Sequence, residues 1–272
     1  WIDVDSEAVI DLDQLGRLLG EYPAGEIAGV TSLVANNEVG SIQPVEQLAE
    51  LCRDMSVSLH LDAVQAFGQL PLPSGFFGAD ALSISGHKIG GPVGVGALVL
   101  SRTAPAIEAL QHGGTQQEHR SGTLNAAAAV AFAHAASLAV GDVDRQAEHY
   151  RRLTHRLRSG LVSETPGVTA RGSSDSAPHI CHVTIDGVDG DVVLFVLDSQ
   201  GIDVSTGSAC QAGVAEPSHV LLAMGLDEEL ARGTLRLSVG AQTTDDDIDR
   251  ILEAFPDAVR TARHAGQSAG SS

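Results

Sequence analysis

Of the 16 basic residues in this 272-residue chain, 15 are arginine and a single one, Lys88, is lysine. Arginine replaces lysine in most ion pairs and in solubility, but it does not shed its proton at usable pH and so cannot form a Schiff base with an aldehyde. Depletion of lysine beside an excess of acid reads as compositional drift. The one lysine that remains marks a position where amine chemistry is required. Three cysteines, Cys52, Cys181 and Cys210, cannot all pair with one another and none sits in a CxxC spacing, so at least one is a free thiol. Four further segments concentrate polar side chains: Asn36-Asn37-Glu38, Asp62-Ala63-Val64-Gln65, Ser85-Gly86-His87-Lys88 and Arg120-Ser121-Gly122-Thr123.

These segments need a scaffold that points them at one place, and the hydrophobic pattern supplies one. An apolar run over 28–35 reads as a buried strand, and Pro44 opens a helix in which Val45, Leu48, Ala49 and Cys52 recur at helical spacing, placing Cys52 in a core. Strands follow at 57–62, 81–85 and 94–100, a rhythm that implies βαβ units and a largely parallel sheet. An alanine-rich helix over 124–139 and a charged helix over 143–161 form the expected inter-domain connection. Beyond Pro166 the pattern restarts with a strand at 179–185, a helix at 191–198, a short strand at 202–205, a helix at 217–224, a strand at 235–239 and a last helix capped by Thr243 or Thr244. The expected domains are therefore 1–142 and 143–263, with an unstructured tail over 264–272.

In an open α/β sheet, ligands bind beyond the carboxyl ends of the strands, which is where the polar segments fall. Taken singly, each has a bland reading: Asp62 a helix cap, Asn37 a turn residue, His87 a surface histidine, Thr123 an N-cap. Together they suit one ligand. Pyridoxal phosphate requires a lysine for its aldehyde, a carboxylate that keeps its pyridine nitrogen protonated, and donors around its phosphate. Lys88, Asp62 and the trio Gln65, Ser85 and His87 meet those needs. Cys210 lies in a run of small residues, 205–213, that reads as a loop and suits a nucleophilic thiol that must move, whereas Cys181 inside an apolar strand reads as packing.

The ordered motifs Asn-Asn-Glu-Val-Gly, His-Leu-Asp-Ala-Val-Gln, Ser-Gly-His-Lys-Ile-Gly-Gly-Pro, Arg-Ser-Gly-Thr-Leu and Gly-Ser-Ala-Cys resemble the cysteine desulfurases of the iron-sulfur assembly and nitrogen-fixation type, within the class-V aminotransferases. The resemblance implies a fold-type I pyridoxal-phosphate enzyme, α/β throughout. Its large domain, incomplete at the N-terminus here, has a mostly parallel sheet, and a smaller C-terminal α/β domain carries the catalytic cysteine. It implies that Lys88 holds the cofactor, Asp62 pairs with the pyridine nitrogen, Asn37 and Gln65 contact the phenolic oxygen and its surroundings, and Ser85 and His87 bind the phosphate. Thr123 would reach the phosphate of a neighbouring subunit, which implies a homodimer, and Arg236 would grip the substrate carboxylate together with Asn37. Cys210 would take sulfur from L-cysteine as a persulfide, leaving L-alanine, and pass it to an iron-sulfur scaffold protein or another acceptor. A selenocysteine lyase, another class-V enzyme and a catalytically inactive sulfur-trafficking partner are the alternatives.

The chain begins at Trp1, within what corresponds to the middle of that family's large domain, so a phosphate loop and a ring-stacking histidine are expected outside it. Thr115 also follows Gly113-Gly114 where the family commonly has another glycine. A formal net charge of -19 repels phosphate backbones and anionic lipid, which argues against nucleic acid or membrane as direct partners. No apolar run approaches the roughly 20 residues of a membrane helix. A cytoplasmic location is expected.

Overall fold

The structure, a computed structural model, describes residues 1–23, 25–73, 75–105, 107–109, 111–114, 119–173, 175–206 and 217–269. The chain forms two compact units. One comprises Leu12–Val34 and Pro44–Asp144; the other comprises Trp1–Asp11, Ala35–Gln43 and Arg145–Ser272. The sequence pattern predicts a single cut at 142/143, and the structure adds two short early segments to the C-terminal half. Gln43 shows why: its side chain donates to Ala8 O at 2.8 Å and accepts from Ile10 N–H at 3.0 Å, stitching 1–11 to 35–43.

The first unit contains α1 (Leu12–Glu21), β1 (Val30–Leu33), α2 (Val45–Asp54), β2 (Leu59–Asp62), β3 (Ala81–Ser85), β4 (Gly96–Leu100) and α3 (Ala126–Gly141). Its sheet has the order β1-β2-β3-β4, parallel across the first three strands and antiparallel at β4. The helix begun by Pro44 buries Val45, Leu48, Ala49 and Cys52 as its spacing requires. In β2, Leu59 and Leu61 are buried while His60 and Asp62 stay half-exposed, the period-2 alternation of a strand with one apolar face. The alanine-rich α3 buries Phe132, Ala135 and Ala139 but leaves Val130, Leu138 and Val140 exposed.

The second unit holds α4 (Val143–Glu164), β5 (Val168–Arg171), β6 (Ile180–Ile185), α5 (Gly190–Asp198), α6 (His219–Ala223), α7 (Glu228–Arg232), β7 (Thr234–Ser238) and α8 (Asp245–Ala269). Its sheet is antiparallel, with order β5-β6-β7. One face carries Cys181, Val183, Ile185, Leu235 and Leu237, which pack with Tyr150, Leu153 and Leu157 of α4 and Ile251, Phe255 and Val259 of α8 into the main core. The other face is polar, with Thr169, Arg171, His182, Thr184, Thr234 and Arg236 in cross-strand register.

Sequence and structure part company in four places here. The strand expected at 202–205 contributes only the Ser205↔Arg236 bridge. The pattern does not reveal β5 or α7, whose four and five residues are too short to display a period. The unstructured tail expected from 264 is helical to Ala269, because α8 continues through Ala258, Val259 and Ala262, all buried. Thr244 opens that helix, exchanging hydrogen bonds with Asp247 in a capping-box arrangement. No single helix among the described residues is long and apolar enough to cross a membrane.

Candidate active site

Two neighbouring parallel strands end at the first group of functional residues. Asp62 closes β2 and Ser85 closes β3, with Asp62 opposite Ser83. Alternation puts Thr31, His60, Asp62, Ser83 and Ser85 on one face. Polar groups bond along it: His60 Nδ1 lies 2.8 Å from Thr31 Oγ1 and Nε2 2.8 Å from Ser83 Oγ. Asp62 Oδ1 accepts the Val64 N–H at 2.9 Å, which turns the chain and carries half-buried Gln65 just past the strand end.

Lys88 sits immediately after β3 in a short 3-10 turn, Gly86–Ile89. That turn closes through the Gly91 N–H to Gly86 O at 2.9 Å, and a Cβ at position 91 would lie 2.9 Å from the same oxygen, so the close approach requires glycine. Gly90, with φ 78°, ends the turn in the left-handed region. Gln69 Nε2 donates to Lys88 O at 3.0 Å, fixing the lysine backbone; Gln69 carries no signal in the sequence, because only its position in the fold links it to Lys88. The Lys88 side chain is exposed, and no acceptor among the described residues holds its amine. Ser85 Oγ and His87 Nδ1 lie 2.7 Å apart beside it.

Of the bland readings, the N-cap role of Thr123 loses its basis and the turn position of Asn37 stands. The N-cap of α3 is Asn125, whose side chain accepts the Ala128 N–H at 3.1 Å, and Thr123 is exposed two residues earlier with no capping role. The turn after residue 35 runs through Asn37 and is held by Asn36, whose Oδ1 accepts from Glu38 N at 2.8 Å and Val39 N at 3.0 Å, so Asn37 does occupy a turn position.

Asn37 and Arg236 lie in the second unit. Arg236, half-buried on β7, donates from Nη1 to Asn37 O at 2.8 Å, a contact between residues 199 apart in sequence. Cys210 lies within 207–216, outside the described residues, but both ends of that segment are anchored. On the N-terminal side, Ser205 exchanges backbone hydrogen bonds with Arg236, at 3.1 and 2.6 Å. On the C-terminal side, Ser218 caps α6 and donates from Oγ to Glu38 Oε2 at 2.5 Å, the carboxylate being only 5% exposed. Ser205, before the segment, is thus bonded to Arg236, and Ser218, after it, to the neighbour of Asn37. Glu38 carries no signal in the sequence because its partner is 180 residues away.

The other two cysteines are poor nucleophiles. Burial, with a smaller contribution from Asp80, pushes the Cys52 thiol up to about 11, and burial pushes Cys181 up to about 12. Both stay protonated at neutral pH, and a thiol attacks as its thiolate. His182, opposite Arg236 on β6, is pushed down to about 3 by burial and then by the Arg236 and Arg171 charges.

The residues at the ends of β2 and β3 fit pyridoxal phosphate. A hydroxyl and an imidazole stand 2.7 Å apart beside an unengaged amine, and a carboxylate held by its own turn ends the adjacent strand.

Residues 1–251 match the family model described as aminotransferase class-V. The chain is 41% identical over 271 residues, 99% of its length and 68% of the relative's, to the IscS-like cysteine desulfurase of Mycobacterium tuberculosis. It belongs to the class-V aminotransferase family, among the cysteine desulfurases. That family is pyridoxal-phosphate-dependent, in agreement with the donor set at Lys88. The NifS-like protein from Rickettsia africae superposes with a TM-score of 0.87 at 30% identity, covering 95% of this chain and 69% of that one. SspA in complex with cysteine superposes with a TM-score of 0.70 at 27% identity, covering 88% and 65%. The chain spans about two thirds of the length of the curated relatives it matches.

Proposed function

We propose that this chain carries the working residues of a cysteine desulfurase, which takes sulfur from L-cysteine and releases L-alanine. The observation that carries the reading is the pair of anchors flanking 207–216, the stretch that holds Cys210 in the sequence: Ser205 is bonded to Arg236 on one side and Ser218 to Glu38 on the other, while Cys52 and Cys181 are both buried. An aminotransferase of the same family has no need of a thiol so placed.

When bound, pyridoxal phosphate supplies the aldehyde that captures the substrate amine and the electron sink for charge building at its Cα. Ser85 and His87 would hold the phosphate, Asp62 the protonated ring nitrogen, and Gln65 with Asn37 the phenolic oxygen and its surroundings. Arg236 receives the substrate carboxylate with its planar fork of donors. The amine of Lys88, once released, takes and returns the proton at the substrate Cα. Cys210 Sγ, as thiolate, forms a bond to the substrate sulfur while the carbon–sulfur bond breaks, leaving a persulfide on Cys210. The remaining product takes up a proton and departs as alanine.

The structure of SspA in complex with cysteine supports cysteine as substrate. Relatives named cysteine desulfurase IscS and cysteine desulfurase NifS support sulfur transfer, and an iron-sulfur scaffold protein is the proposed acceptor. A homodimer is part of the proposal, supported by exposed Thr123 and by the exposed apolar residues Val130, Leu138 and Val140 of α3. So is a cytoplasmic location, supported by two unpaired buried thiols.

The decisive experiment is borohydride reduction of the protein mixed with pyridoxal phosphate, followed by peptide mass spectrometry. A phosphopyridoxyl group on Lys88, and a persulfide on Cys210 after addition of cysteine, is the expected result. A Lys88 adduct with the sulfur on Cys52 or Cys181, or with no protein-bound sulfur, would falsify the desulfurase reading and leave another class-V reaction.

A further inference from the structure

The polar face of the β5-β6-β7 sheet holds a charge row with an imidazole at its centre. Arg171, His182 and Arg236 are directly paired across the three strands, so their side chains stand on one face. His182 is 2% exposed. Its Nε2 lies 2.8 Å from Thr234 Oγ1, and that hydroxyl gives its one proton to Val183 O at 3.2 Å. The threonine oxygen is therefore the acceptor, Nε2 carries the imidazole proton, and Nδ1 is a bare lone pair. Nδ1 is buried without a hydrogen-bond partner, and so is Nε of Arg236, a donor on the residue directly opposite. A buried acceptor and a buried donor, both unsatisfied, on paired residues of one face are each costly alone and compatible together.

We propose that His182 is a positioning residue for carboxylate recognition: its Nδ1 accepts from Arg236 Nε, directly or through one water, when the guanidinium takes a substrate carboxylate. With Nε turned to His182 and one Nη1 proton given to Asn37 O, the guanidinium keeps the remaining Nη1 proton and both Nη2 protons. The carboxylate is then gripped end-on by the two terminal nitrogens, and the side-on fork through Nε is closed to it. Two flanking arginines and complete burial keep the imidazole neutral, so Nδ1 remains an acceptor throughout the working pH range. Arg171 does not compete for Nδ1 through its Nε, which is committed to Thr184 Oγ1 at 2.9 Å. The inference rests on the reading of Arg236 as the partner of the substrate carboxylate.

The test compares wild type, Arg236→Gln, His182→Leu and His182→Gln as full-length, pyridoxal-phosphate-loaded protein, using calorimetric affinity for L-alanine and the kinetics of cysteine turnover. His182→Leu is expected to weaken alanine binding and raise KM for cysteine roughly tenfold, as loss of a hydrogen bond to a charged group does, with kcat within about twofold. His182→Gln, whose amide both accepts and donates, restores binding to within about threefold of wild type. If Arg236→Gln binds alanine as wild type does, the reading of Arg236 fails and this inference with it. If Arg236→Gln is weakened while His182→Leu is not, the role of His182 alone is overturned. Nitrogen NMR of labelled wild-type protein tests the same point even if the leucine variant does not fold. An unprotonated Nδ1 that shifts on alanine binding supports the proposal, whereas a protonated Nδ1, or one indifferent to alanine, overturns it.

Discussion

The ends of β2 and β3 and the polar face of β5-β6-β7 both gather groups for chemistry, but they are built in opposite ways. At the first, partners are close in sequence: Asp62 with Val64, Ser85 with His87, Gly86 with Gly91. Lys88 and His87 are exposed, and the glycines give the backbone its turns. At the second, partners are far apart: Asn37 with Arg236, Glu38 with Ser218, His182 with Thr234. There Glu38, Ser218, His182 and Thr234 are buried. Local turns can present a reactive amine at a strand end, whereas holding an arginine and the two ends of a cysteine-bearing segment takes long-range packing.

Four measurements sharpen the contrast. The largest effect is expected at the exposed end, where Lys88→Ala removes the chain's single lysine; borohydride trapping finds no phosphopyridoxyl group on the peptide of residue 88 and cysteine turnover is abolished, with thermal stability unchanged because the side chain is exposed. Retained turnover in that variant would move the cofactor chemistry elsewhere. In the buried region, Ser218→Ala leaves the Glu38 carboxylate without its donor and is expected to cost about 1–3 kcal/mol in denaturant unfolding, together with slower persulfide formation. An effect on stability alone would detach that anchor from function.

Acid acts next. The folded His182 value of about 3 lies below its free value of 6.5, so the unfolded chain takes up this proton first. The stability tied to a neutral His182 is complete above pH 6.5 and drains as pH falls toward about 3, with a slope of up to about 1.4 kcal/mol per pH unit. Unfolding followed across that range shows the slope in wild type and a shallower one in His182→Gln; equal slopes would mean the imidazole titrates normally in the fold. The smallest effect is at the surface. Arg152 and Asp245 make a two-bonded pair that depresses the Asp245 carboxyl, yet both are half-exposed, and Arg152→Gln is expected to leave the melting temperature unchanged within error. A clear drop there would show that α4 and α8 depend on the pair rather than on their apolar seam.

The sequence alone determined whatever depends on neighbours along the chain. The lone lysine, the alternation that half-exposes Asp62, the helical spacing that buries Cys52 and the small-residue context of Cys210 were legible, and with them the cofactor and the family. Side-chain period and turn chemistry act over a few residues, so their signal is local. Tertiary structure decided which capping and turn roles fall to Asn125 and Asn36, that Gln69 holds the backbone of Lys88, and that Glu38 and Ser218 anchor one end of the cysteine segment. It also decided that His182 lies buried between two arginines, for strand register pairs residues by position in a sheet, and no pattern within one strand states which residue will stand opposite.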